Sequence, residues 1–163
     1  YKRTRYLRMK IFEKTAMAGW GDIDFNSHMR NTAYLDKSAD VRMMFFSENG
    51  FPMSEFKKLK MGPVIMKDEI DYFRETLFLS EFKITLSIAG MADDGSRLEF
   101  RNEFFHLGGN SDGKMAARLN STGGWISFEN RQLIAAPEAL LRALNQLEKT
   151  SDFRQLTSSL KPK

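Results

Sequence analysis

The chain has no cysteine and only two histidines, His28 and His106. Disulfides, thiolate nucleophiles and cysteine-ligated zinc are therefore excluded, and two histidines alone do not make a dedicated metal site. No cofactor is implied. No uninterrupted apolar run approaches the roughly 18 residues that a membrane span needs. A Gly-x-Ser-x-Gly elbow is also missing, so a serine-hydrolase mechanism has nothing to stand on.

What remains is a chain of 163 residues, 42% hydrophobic and 28% charged. That is enough for one domain with a real core and leaves no room for a second catalytic domain. The net charge of +4 suits an anionic ligand without identifying one. No nucleic-acid reading motif accompanies it, so nucleic acid is not an expected partner. The lack of cysteine is compatible with a reducing cytoplasm, and a cytoplasmic location is expected. Lys2, Arg3, Arg5, Arg8 and Lys10 make a basic start, with residues 1–7 expected as a solvated arm. Membrane contact is expected only through that arm or through a segment upstream of Tyr1, since the chain does not open on methionine.

Hydrophobic periodicity then assigns the elements. Residues 8–20 read as a strand, with Ile11, Thr15 and Met17 on one face. From Asn31 to about Ser47 the apolar spacing becomes helical, Asn49-Gly50 ends the helix and Pro52 forbids its continuation. The quartet Met43, Met44, Phe45 and Phe46 covers too much of the circumference for a surface helix, so this half is expected to be core, wrapped by a curved sheet. After a short linker, Pro63 opens a series of strands. Val64, Met66, Ile70 and Tyr72 alternate with polar neighbours, as do Phe82, Ile84, Leu86 and Ile88, and then Leu98, Phe100 and Phe104. Asp93-Asp94-Gly95 and Gly108 to Gly113 mark turns, and Met115, Ala117 and Leu119 lead a last strand into Trp125 and Phe128. A helix from Pro137 carries Leu140, Leu141, Leu144 and Leu147. Residues 150–163 are expected as a flexible tail. The result is an α+β domain over residues 8–149, an antiparallel sheet with its helices on one face.

Chemistry concentrates between Trp20 and Tyr34. Two aspartates, two asparagines, His28 and a helix start fall within this stretch, where a strand runs into a polar loop and then a helix. A loop carboxylate beside the unpaired N–H groups of a first helical turn can act on a carbonyl. Each residue has a plainer reading as well. Asp24 or Asn26 can cap the helix, Asp22 can simply hold the loop, and His28 can make a structural hydrogen bond. Tyr34 either lines a pocket or packs in the core. Asp68 falls on the apolar phase of its strand, either as a pocket carboxylate or through a strand irregularity. His106 shares a phase with Phe104 and is expected to be a satisfied, partly buried histidine.

The order of elements, with WGDIDFNSHMRNTAYL and PVIMKDEIDYFR, resembles the hot-dog-fold acyl-CoA thioesterases of the 4-hydroxybenzoyl-CoA thioesterase type. The usual pattern there is Asp-x-Asp, a Gly-His pair, paired asparagines and a tyrosine. Here those positions read Asp22, Asp24, Ser27-His28, Arg30-Asn31 and Tyr34. The resemblance implies a sheet of about five strands wrapped around a long central helix. It implies Asp24 as the catalytic nucleophile or general base, the backbone N–H of Asn31 as the group that polarises the thioester oxygen, and His28 and Tyr34 as substrate-binding residues. It further implies a homodimer or homotetramer with sites at the subunit interface, and coenzyme A held mostly by surface contacts. Three departures stand out: Ser27 replaces a glycine suited to an unusual backbone angle, Arg30 replaces the first asparagine, and Ala39 stands where many relatives place a glutamate. Two other readings remain, a non-catalytic acyl- or acyl-CoA-binding protein and a basic module for nucleic acid or protein.

Overall fold

The computed structural model describes residues 11–160 and 162, so the basic arm expected at 1–7 lies outside the described residues. Strand β1, Phe12–Met17, leads through a loop into the long helix α1, Asn31–Glu48. The face shared by Ile11, Thr15 and Met17 is the solvent face, and Phe12 and Ala16 turn toward the core. Asn49 closes α1 by donating its side-chain N–H to the Phe45 carbonyl at 2.8 Å, and Gly50 follows with φ of 85°. That left-handed conformation carries no penalty at glycine. A short helix α2, Met53–Lys58, stands where only a linker was expected, and it buries Phe56. Then come β2 (Met61–Tyr72), β3 (Glu81–Met91), β4 (Arg97–His106), β5 (Met115–Ser127), β6 (Leu133–Ile134), α3 (Glu138–Leu144) and β7 (Lys149–Gln155).

The sheet runs in the order β1-β3-β4-β5-β2, every neighbour antiparallel. Short β6 pairs with β5 beyond the end of β4, and β7 pairs in parallel with β3 beyond the end of β1. β2 is thus an edge strand paired on one side only. A register shift between Ile65 and Lys67 interrupts its ladder with β5, and this irregularity turns Asp68 toward Ser121.

Alternation decides the core. Phe82, Ile84, Leu86 and Ile88 of β3, and Leu98, Phe100 and Phe104 of β4, are buried on the face that meets α1. Phe46 of α1 sits edge-on to Phe56, Phe100 and Trp125 at centroid distances of 5.9, 6.2 and 5.6 Å. Each such ring contributes about 1.5–3 kcal/mol by burial, with edge-to-face geometry adding to it. Trp125 is fully buried, and its indole N–H is satisfied by the Gly95 carbonyl at 2.9 Å.

The expected path of five strands is present, and two short strands extend the sheet to seven. Two expectations need correction. The expected tail contains β7, held where Asp152 receives a two-pronged bond from Arg101 at 2.9 and 3.0 Å and Arg154 grips Glu99 at 2.8 Å. Lone apolar Phe153 gave that strand no periodicity, so side-chain pairing and backbone bonds to β3 carry it. In the Met43–Phe46 quartet, Phe45 and Phe46 are buried, but Met44 faces solvent and Met43 is only half-buried.

Candidate active site

The loop between β1 and α1 is pinned at its base by Asp22. Its Oδ2 accepts the Gly19 N–H at 2.8 Å and meets Lys37 Nζ of α1 at 3.1 Å, while its carbonyl accepts the Arg30 N–H at 2.7 Å. Burial pushes the Asp22 carboxyl up, but the Gly19 N–H, Lys37 and Arg30 outweigh it and hold the group below the usual aspartate value. Asp22 is therefore the loop hydrogen-bonder that the sequence suggested. Arg30, at the cap of α1, donates to the Gly21 carbonyl and to Thr32 Oγ1. Its guanidinium ties the loop where an asparagine is usual.

Above this base the loop closes on itself. Ile23 pairs with Met29, the Asp24 N–H bonds the His28 carbonyl at 2.8 Å, and the Ser27 N–H bonds the Asp24 carbonyl at 3.1 Å. Ser27 adopts φ of 63°, the angle for which glycine is the default residue. Asp24 is fixed by its own turn: Oδ1 accepts the N–H groups of Asn26 at 2.9 Å and His28 at 3.2 Å. Its other oxygen, Oδ2, has no hydrogen-bond donor among the described residues. The Met29 N–H bonds the Thr76 carbonyl at 2.7 Å and His28 pairs with Leu77, which stitches the loop to the β2–β3 connection.

Asp24, His28, Asn31 and Tyr34 all border one cavity of about 350 Å³, together with Tyr72 and Glu75. The fold thus gathers all four residues singled out in the sequence. Asn31 is the first residue of α1, and Arg30 at the cap offers no side-chain cap bond. Among the described residues, no acceptor meets the Asn31 N–H. Asn31 thus carries a free N–H at the positive end of the helix dipole and borders the same cavity as Asp24. Tyr34 is 2% exposed, donates to Thr76 Oγ1 at 3.1 Å and stacks edge-on with Tyr72 and Phe104, so it both packs in the core and floors the cavity. Burial raises the pKa of both Tyr34 and Tyr72 above the ordinary phenol value.

Sequence reasoning missed the opposite wall. Glu75 Oε2 lies 2.6 Å from His28 Nε2, and the Tyr72 hydroxyl lies 3.5 Å from the Asn31 carbonyl. Tyr72 ends β2, where its alternation marked it as a strand residue and not as part of a site, and Glu75 lies in the connection to β3, where no periodicity or motif distinguishes it. A larger cavity of about 560 Å³ adjoins, sharing Arg74 and Glu75 and bordered by His106 and Gly108 to Ser111. His106 is buried, as its strand phase suggested, and burial with Arg74 lowers its pKa against the opposing bond at Glu75.

The family model described as the thioesterase-like superfamily matches residues 18–144, which run from the loop after β1 through α1, α2, β2 to β6 and α3. No curated protein matches the chain. Among solved structures, the chain is similar to a hypothetical protein of Staphylococcus aureus in complex with CoA, with a TM-score of 0.76 at 22% identity over 93% of this chain and 90% of that one. It is also similar to a 1,4-dihydroxy-2-naphthoyl-CoA thioesterase from Synechocystis, with a TM-score of 0.72 at 13% identity over 83% and 96% of the two chains. A gentisyl-coenzyme A thioesterase gives a TM-score of 0.70 at 20% identity over 81% and 98%. At these identities the likeness is one of fold, and the matched span supplies the family. The chain belongs to the thioesterase-like superfamily and has the hot-dog fold.

Proposed function

We propose that this protein hydrolyses an acyl-CoA thioester to the free acid and coenzyme A, with Asp24 as the reacting carboxylate and the Asn31 N–H as the oxyanion donor. The observation that carries this reading is the pairing, across one cavity, of a turn-fixed carboxylate with a free helix-terminal amide. In the nucleophilic form, an Asp24 oxygen attacks the thioester carbon, the C–S bond breaks to release the thiolate, and water cleaves the resulting anhydride. In the general-base form, Asp24 takes a proton from water as that water attacks. Either way the oxyanion develops at the Asn31 amide. The leaving thiol has a pKa near the free-cysteine value of about 8.5, so no strong general acid is required. His28, tied to Glu75, positions the loop against the substrate. Coenzyme A would extend over Arg74 into the adjoining cavity; a similar structure solved in complex with CoA supports coenzyme A as the thiol carrier.

A dimer or larger assembly fits the open edge of β2, where Ile65, Met66 and Tyr72 are exposed and one row of backbone groups is unpaired. Size-exclusion chromatography with light scattering tests this, and a monomer at micromolar concentration would refute it. The described cations on the outer face of the sheet are largely paired, Arg101 with Asp152, Arg118 with Glu103 and Lys83 with Glu13, which disfavours a basic strip for nucleic acid.

The deciding experiment follows thiol release from short, medium, long and aromatic acyl-CoAs for the native protein and for Asp24→Asn. Asparagine keeps the shape and removes the charge, and a loss of at least about a hundredfold is expected. A native protein that binds acyl-CoA but turns over none of the panel would make this a binding member of the fold.

A further inference from the structure

A third cavity, of about 220 Å³, lies further along the seam between α1 and the edge strand β2, lined by Ala39, Arg42, Met43, Phe46, Val64 and Trp125 among others. Its lining is apolar except for Arg42, which is only 9% exposed. That guanidinium is poorly paired for a buried charge. One nitrogen, Nη1, donates to Asn102 Oδ1 at 3.2 Å and to Ser121 Oγ at 3.3 Å, both neutral acceptors. The nearest acidic partner, Asp68, is reached only through Ser121, whose hydroxyl donates to Asp68 Oδ1 at 2.6 Å. Among the described residues, Nε and Nη2 have no acceptor, and no carboxylate forms an ion pair with Arg42. One turn earlier on α1, the buried Ser38 hydroxyl also has no partner. Burial pulls the Arg42 pKa down more than Asp68 pulls it up, so the internal counter-charge is incomplete. A buried cation costs several kcal/mol unless an anion or a full set of acceptors offsets it.

We infer that this cavity takes the far end of an acyl group that carries a terminal carboxylate, with the apolar body of the chain against Met43, Phe46 and Trp125 and the carboxylate on Arg42. As a statement about substrate it rests on the thioesterase reading, whereas the cavity and its cation do not. Ala39 and Arg42 lie eight and eleven residues beyond Asn31, about 12 and 16 Å along the helix axis. A chain whose carbonyl sits at Asn31 therefore reaches the cavity only when it is of medium length or longer. Ala39 contributes here by its smallness, since it leaves open the space that a longer side chain would fill.

Two arms test the assignment separately. In the first, calorimetric titration compares octanoate with octanamide, which differ in charge but hardly in shape. A charge-assisted bond to Arg42 is expected to favour octanoate by about tenfold or more, and Arg42→Met to abolish the preference. Equal binding of the two ligands, or a preference that survives Arg42→Met, overturns the proposal. Arg42→Met leaves the buried Asn102 Oδ1 without its donor, a cost of about 1–3 kcal/mol, so its fold is checked by thermal unfolding before the titration is read. Ala39→Leu, which fills the cavity and leaves Arg42 in place, decides independently: octanoate binding is lost if the cavity is the site, and unchanged binding overturns it. In the second arm, kcat/KM is compared for hexanoyl-, octanoyl-, dodecanoyl- and hexadecanoyl-CoA against their ω-carboxyl counterparts. The ω-carboxyl member is expected to win by about tenfold from dodecanoyl upward, with Arg42→Met reversing the order. Octanoate binding that depends on Arg42 without any thioester hydrolysis would uphold the cavity and overturn the thioesterase reading. Hydrolysis with no ω-carboxyl preference would do the opposite.

Discussion

Replacing Asp22 by asparagine isolates what holds the loop between β1 and α1. Asparagine still offers an oxygen to the Gly19 N–H, so the bond at 2.8 Å survives as a neutral one. Bonds to charged groups contribute about 1.5–3 kcal/mol against 0.5–1.5 for neutral ones, so this change removes about 1 kcal/mol. The ion pair with Lys37 is lost as well. Its two side chains are only 23% and 20% exposed, which puts it toward the upper end of the range for partly exposed pairs, about 1 kcal/mol. The native protein should therefore exceed Asp22→Asn by about 2 kcal/mol in urea unfolding at neutral pH. The pH dependence gives a sharper check. Because folding lowers the Asp22 pKa, its stabilisation is complete above the ordinary aspartate value and fades as pH falls through the lowered one. The difference between paired unfolding curves should narrow as pH falls below the ordinary aspartate value. A difference that stays constant with pH, or is absent at neutral pH, would refute the assignment of the loop's anchor to this carboxylate.

Two other substitutions probe the loop and the unexpected strand. Ser27→Gly relieves a serine held at φ of 63° and should raise the urea midpoint, the gain being about 0.5–1 kcal/mol after the extra chain entropy of glycine is subtracted. A lower midpoint would mean that the angle is not the source of strain. Asp152→Ala removes both bonds from Arg101 and should speed amide exchange across Lys149–Gln155 while leaving β3 and β4 protected. Unchanged exchange in β7 would show that its backbone ladder alone holds it.

The sequence disclosed the fold wherever one residue type repeated with the right period, and fell silent where pairing between distant residues did the work. Phe82, Ile84, Leu86 and Ile88 announce β3, and the Asn49-Gly50 cap locates the end of α1 to within a residue or two, because both signals are local. β7 offers one apolar residue in seven and exists through partners fifty residues away, Arg101 and Glu99. The candidate site divides in the same way. Asp24, His28, Asn31 and Tyr34 lie within one short stretch, where chemistry suggests a carboxylate beside a helix start and the family resemblance assigns the individual roles. Tyr72 at the end of β2 and Glu75 in the connection that follows complete that cavity, and only the sheet order brings them beside the loop. Arg42 shows the limit most clearly. On the helical pattern it is one charged residue before two methionines and two phenylalanines, and nothing local marks it as buried. Only the packing of α1 over Asn102 and Ser121 takes it out of water, and that burial without a full counter-charge turns an ordinary arginine into a candidate for substrate selection.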